Sequence, residues 1–166
     1  MILEASENIA LEITYRAHPL TFNKPAQTSR DVLYHKPSFL ITLCDKSGRK
    51  GMGECSLIPG LSIESEEEVR SFLETLTTHQ GVNVREIPLT LPSVRFAVET
   101  ALRSLKRGGD ANWPGGITIN GLVWMGSPDF IKNQMAEKIE LGFNCIKMKV
   151  GAIDFESELK LLSTLR

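Results

Sequence analysis

Between Ile9 and Ala17, Ile9, Leu11, Ile13, Tyr15 and Ala17 fall at every second position. Side chains alternate across a strand, so this pattern predicts a β-strand with one buried face. The run SFLITL predicts a second strand. GMGECS predicts a third that returns beside it, across the turn chemistry of Asp45-Lys46-Ser47-Gly48. From about His18 to Pro37 the apolar period lapses into a polar stretch with three prolines and Thr28-Ser29-Arg30, which predicts a long loop. Loops of that length within a compact domain are commonly functional or disordered.

The period then changes. Ser65-x-x-Glu68 matches a capping box, and Val69, Phe72, Leu73 and Leu76 form the stripe of an amphipathic helix. Pro92 suits a first helical position. Val94, Val98, Ala101, Leu102 and Leu105 then share a face, and Gly108-Gly109 ends the helix. GITIN predicts a short strand. Ser127-Pro128 opens a helix carrying Ile131, Met135 and Ile139, stopped at Gly142. GFNCIKMKVG predicts another strand, and Asp154 caps a last helix with Phe155, Leu159 and Leu162 inward. Strand, helix, strand, helix at this spacing implies βα units in a parallel sheet. Asn120-Gly121 between ITI and LVW is also a hairpin signal; the helix start close behind it favours a strand ending near Asn120. The pattern stops at Leu165-Arg166 without a capping glycine or asparagine. Two βα units cannot close a barrel, so the sequence is expected to be the front part of a longer protein.

Composition narrows the function classes. The 166 residues, 42% of them apolar, suffice for one or two small cores. Lys+Arg 19 against Asp+Glu 20 leaves no basic excess, which argues against nucleic acid or an anionic membrane as partner. Glu4 and Glu7 stand where a signal peptide carries positive charge, and no apolar stretch approaches membrane-spanning length. Cys44, Cys55 and Cys145 are odd in number and lack CxxC spacing, which predicts reduced thiols and a cytoplasmic location. His18, His35 and His79 are too scattered for a metal site. No nucleophile elbow or phosphate loop occurs. Gly51 and Gly53 read as strand glycines that let something approach the backbone closely. Glu64, Glu66, Glu67 and Glu68 match the dipole of a helix start on a solvated face.

The sharpest chemical signal is the pair Lys147 and Lys149. At i, i+2 in a strand, both ammonium groups leave the same face. Two like charges on one face of an apolar strand require water or a polar cleft beside them. A neighbouring cation also favours the neutral amine that a general base must use. The same pattern suits an edge strand whose lysines guard against aggregation.

Together GMGECSLIPGLS, PSVRFAVETAL, INGLVWMG and CIKMKVG resemble the enolase superfamily over nearly the whole chain, and within it the o-succinylbenzoate synthase family. The resemblance implies an α+β capping domain, residues 1–110, followed by the first two βα units of a (β/α) barrel, residues 111–166. The active site would lie at the C-terminal ends of the barrel strands. It implies that Lys149 removes the proton α to a carboxylate and then protonates the departing hydroxyl. Lys147 would hold a carboxylate oxygen and poise Lys149. Ser29 and Arg30 in the long loop, the turn from Gly51 to Gly53, and Asn120 would contact substrate. Mg2+ would stabilise an enediolate. The family's three carboxylate metal ligands and its second lysine sit on later barrel strands, so the ligands are expected beyond Arg166 and none in this chain. Asp154 and Glu156 are placed to cap a helix.

The implied activity is dehydration of 2-succinyl-6-hydroxy-2,4-cyclohexadiene-1-carboxylate to o-succinylbenzoate in menaquinone biosynthesis, with a small-molecule carboxylate as the partner. Two alternatives stay open: an amino-acid racemase or dipeptide epimerase using the same Lys149, and a non-catalytic fragment or anion-binding cap module. The 166-residue chain alone is expected to be inactive and to self-associate or require a missing barrel half.

Overall fold

In the computed structural model, residues 11–27, 31–108, 116–151 and 153–163 are described. They fall into two compact units, 1–24 with 33–112 and 25–32 with 113–166. The boundary expected at residues 110 and 111 lies outside the described residues.

In the first unit, β1 (Leu11–Ala17), β4 (Ser38–Asp45) and β5 (Lys50–Ser56) form an antiparallel sheet in the order β1-β4-β5. Ile13 pairs with Leu43, which pairs with Gly51; Tyr15 pairs with Ile41, which pairs with Gly53. Directly paired residues share a face. That face carries Leu11, Ile13, Phe39, Ile41, Leu43 and Cys55 into the core, against helices α1 (Glu66–Leu76) and α2 (Pro92–Arg107). Each large side chain so buried contributes about 1.5–3 kcal/mol. The position of Ile9 lies outside the described residues.

Both helices start and stop where their sequences dictate. Ser65 and Glu68 make the reciprocal capping box on α1. Pro92 occupies the first turn of α2, and Gly108 closes it with a left-handed φ of 80°. The residue before α2 is Leu91, which has no side chain able to cap. Glu64 fills that role from a distance in sequence, accepting the Ser93 N–H at 2.7 Å. It is therefore not on a solvated face as the acidic run suggests, but 6% exposed. Burial pushes its carboxyl pKa up, yet the hydrogen bonds from Ser93 outweigh that and hold it below the usual value.

The stretch expected as a long loop folds instead into β2 (Leu20–Gln27) and β3 (Val32–Lys36), a separate two-stranded sheet. Pro25 is tolerated there because each strand of a two-stranded sheet keeps one edge unpaired.

In the second unit, β6 (Gly121–Val123) and β7 (Ile146–Met148) pair in parallel, Gly121 with Ile146, Leu122 with Lys147, Val123 with Met148. The hairpin alternative is thereby excluded. Strand β6 begins after GITIN rather than within it: Ile117 and Ile119 are exposed, and pairing starts only at Gly121. A Cβ at Gly121 would lie about 3 Å from Phe143 and Lys138, so these neighbours press on the strand start. Helices α3 (Pro128–Glu140) and α4 (Phe155–Ser163) complete the unit. Ser127 caps α3 and Asp154 caps α4, accepting the Ser157 N–H at 2.9 Å. Val123, Ile131, Met135 and Leu161 form the core, with Ile146, Met148 and Ile153 against it. Ile139, expected inward, is exposed. From Ile131 to Ile139 the helix rises roughly 12 Å, more than a three-residue strand of roughly 10 Å can cover. Helix α4 has the expected period but a rotated face: Leu161 is buried, while Phe155, Leu159 and Leu162 are exposed.

Gly51 and Gly53 show what approaches the β5 backbone. A Cβ at Gly51 would strike the Ala101 carbonyl oxygen, and one at Gly53 the Ala97 carbonyl oxygen. Helix α2 therefore takes the space that the two glycines were expected to offer a substrate. Gly53→Ala should cost about 3 kcal/mol of stability through overpacking, measured by chemical denaturation. A variant as stable as the parent would show that α2 does not depend on this approach.

The β4–β5 turn yields a pH prediction. Asp45 accepts the Ser47 hydroxyl at 2.6 Å, the Ser47 and Arg49 N–H groups, and the Arg49 guanidinium at 2.7 Å. The Ser47 hydroxyl, then Arg49, holds its pKa at about 2. A depressed carboxylate adds stability above its unfolded pKa and loses it as pH falls through the folded value. The parent should therefore lose this contribution between about pH 4 and pH 2. Asp45→Asn should be less stable than the parent at neutral pH, with the gap closing over that window. A gap constant with pH would remove the carboxylate from the explanation.

Candidate active site

The β6–β7 pair has two faces of opposite character. Val123 and Met148 are partners and turn toward α3 and α4, where Val123 is fully buried. By alternation, Leu122 and Lys147, also partners, turn to the other face, and Trp124 and Lys149 follow on that side. Lys147 is exposed on the strand, and Lys149 is half-buried one residue beyond it. The Lys149 N–H still donates to the Val123 carbonyl at 3.4 Å, so the backbone there keeps the strand direction. Both lysines thus occupy one face at the C-terminal end of a parallel pair. Among the described residues, neither takes part in an ion pair.

Neighbouring residues hold this end of the sheet. Gln134 of α3 accepts the Trp124 N–H and donates to the Trp124 carbonyl, both at 2.9 Å. The Lys149 Nζ lies 3.6 Å from the centre of the Trp124 ring. After Lys149 the chain turns at Gly151, whose φ of 94° is left-handed. The Gly151 N–H donates to Glu158 of α4 at 2.5 Å, fastening the turn. Asp154 is spent on the N-terminus of α4, where the Ser157 hydroxyl and N–H lower its pKa. One lysine is open to an anion, and the other is steered by an aromatic face. That arrangement can bind a carboxylate and move a proton beside it.

No protein-family model matches the chain. The o-succinylbenzoate synthase of Desulfotalea psychrophila is 34% identical, over 94% of this chain and 54% of that protein. The crystal structure of MenC from the same organism superposes with a TM-score of 0.70 at 29% identity, covering 95% of this chain and 53% of that one. The o-succinylbenzoate synthase of Thermosynechococcus elongatus, complexed with Mg in its active site, gives a TM-score of 0.76 at 24% identity, with 93% and 47% covered. The chain is similar in sequence to an o-succinylbenzoate synthase and shares the fold of enolase-superfamily members. A dipeptide epimerase of Methylococcus capsulatus shares the fold at a TM-score of 0.75 and 19% identity, over 96% of this chain and 50% of that one. The chain spans about half the length of the relatives it matches.

Within the superfamily fold, a strand-rich cap is followed by the first βα units of the barrel. Lys147 and Lys149 lie at the strand end that such barrels use for chemistry. Asn120 is at the other end, exposed and immediately before β6, roughly 13 Å of strand from Trp124. Its expected substrate contact is not supported by this placement. Ser29 and Arg30 lie outside the described residues. Trp124 and Gln134, which stand beside Lys149, were not singled out by the sequence pattern. The available signal was the parallel register, which puts the residue after LVW beside the second lysine, but a register is not visible in either strand alone.

Proposed function

We propose that this chain is part of an o-succinylbenzoate synthase. The proposed reaction dehydrates 2-succinyl-6-hydroxy-2,4-cyclohexadiene-1-carboxylate to o-succinylbenzoate and serves menaquinone biosynthesis. The observation that carries the reading is the lysine pair on the open face at the C-terminal end of β6 and β7, in a chain 34% identical to a synthase of that name. In this reading the neutral amine of Lys149 takes the proton α to the ring carboxylate, and the resulting ammonium delivers it to the departing hydroxyl. Lys147, exposed two residues earlier, holds a carboxylate oxygen through a charge-assisted hydrogen bond. Arg30 and Ser29 are proposed to contact the succinyl end of the substrate.

Magnesium enters by resemblance and by the ion present in the Thermosynechococcus structure. When bound in such a site it neutralises charge on the enediolate. Among the described residues, no group of three His, Cys, Asp or Glu could hold a metal ion, so these residues do not fit a magnesium site. No step is therefore routed through it. The 166 residues alone are proposed to be inactive and to associate, with another barrel segment or with themselves. No described helix is long and apolar enough to cross a membrane, and a cytoplasmic location is proposed with the pathway.

The full-length protein should convert the cyclohexadiene carboxylate to the aromatic product, followed by its ultraviolet absorbance. Lys149→Ala should lower turnover on the order of 10² to 10⁴-fold and abolish exchange of the α-proton with solvent. Near-normal turnover would remove Lys149 from the reaction. Exchange or epimerisation of dipeptides without dehydration would replace the synthase reading with the epimerase one. Lys147→Met should reduce kcat/KM roughly 10- to 100-fold, the value of one hydrogen bond to a charged group. Unchanged kinetics would show that no carboxylate rests on it.

A further inference from the structure

Trp124 and Lys149 are each anchored independently of their mutual contact. The two bonds from Gln134 to the Trp124 N–H and carbonyl are those that a neighbouring strand would supply, provided here by a helix side chain. They fix the backbone from which the indole projects. The turn after Lys149 is fixed separately by Glu158 of α4. Between these two anchors, the Nζ stands 3.6 Å from the ring centre. A ring face attracts an ammonium through its quadrupole but has no such pull on a neutral amine. The contact therefore discriminates between the two forms that Lys149 would adopt in a proton transfer.

We propose that Trp124 is a positioning residue for Lys149: its ring face receives the ammonium as it forms and holds it for delivery of the proton. The proposal rests on the dehydratase reading above. In the first step the Cα–H bond breaks, the proton passes to Nζ, and the electron pair enters the enediolate. In the second, that pair returns to form the ring double bond and the C–O bond breaks. Nζ gives its proton to the hydroxyl, which leaves as water, and Lys149 is again an amine. Trp124 exchanges no atom or electron in either step. Its effect is on where the cation sits.

The test uses the full-length protein with Trp124→Leu, Trp124→Phe and Gln134→Leu. Loss of the ring should lower kcat roughly 3- to 30-fold, the range that a partly desolvated cation–π contact covers, with KM within about twofold. The phenylalanine variant should keep most of the activity, and the glutamine variant should fall between. With 13C-labelled lysine, the Lys149 ε-methylene protons should resonate upfield from the ring current, assigned by their absence in Lys149→Met. That shift should vanish in Trp124→Leu and persist, reduced, in Trp124→Phe. This readout needs no substrate. Parental kcat in Trp124→Leu would overturn the proposal, as would equal damage from leucine and phenylalanine, which would mark the indole as filler. If Trp124→Leu fails to fold, parental kcat in Gln134→Leu with the upfield shift lost would overturn it equally. A parent protein that performs no dehydration, yet retains the upfield shift, would overturn the dehydratase reading and the proton-delivery role while leaving the contact itself standing.

Discussion

A parallel two-stranded sheet must cover one face with apolar side chains, and the β6–β7 pair does so with Val123 and Met148 beneath α3 and α4. Alternation then leaves no choice for the opposite face: Leu122, Lys147, Trp124 and Lys149 go there together. A register shift of one residue would bury both lysines in the helix layer, where an unpaired ammonium is prohibitively costly. The hydrophobic face therefore sets the chemistry of the other one. It also makes the site one-sided, with its charge gathered at the C-terminal strand ends. The turn at Gly151 and the cap at Asp154 lie directly beyond, serving α4.

The first unit solves a different problem, that of bringing a helix close to a sheet. Small residues meet small residues: Ala97 and Ala101 of α2 lie against Gly53 and Gly51 of β5. The gain is dense packing around Leu43, Ile41 and Val98, all fully buried. The cost is that the start of α2 is carried inward with no cap of its own, and Glu64 supplies one. The buried carboxylate is thus a consequence of the close approach. Cys55, also fully buried, is accounted for similarly. Its Sγ lies 3.0 Å from the Ser93 Oγ, and burial raises its pKa to about 11, so it is a core thiol rather than a nucleophile.

The shared fold relates this chain to several enzymes without singling out one of them. Synthases and dipeptide epimerases superpose about equally well on this chain. The fold alone therefore does not separate the two. At this end of the sheet the chain brings together two lysines, an indole face and the glutamine that holds its backbone.

The sequence by itself determined the elements whose signals are local. The β1 and β4 alternation, the Asp45 turn, the Ser65 capping box, Pro92 and Gly108 around α2, and the Ser127 cap all depend on neighbours within a few residues, and all are found as read. The lysine pair was legible for the same reason, because i, i+2 on a strand is local geometry. What needed the tertiary structure were facts about partners distant in the chain. The polar stretch from His18 to Lys36 makes a strand pair because each strand completes the other's hydrogen bonds, a gain invisible in either alone. GITIN is excluded from the sheet because β7 offers only three residues to pair. The azimuth of α4, the destination of Glu64 and the filling of the space over Gly51 and Gly53 depend on which element arrives opposite. The stack of Lys149 on Trp124 is the same kind of fact. Twenty-five positions separate the two residues, and only a parallel register joined through α3 brings them to one face.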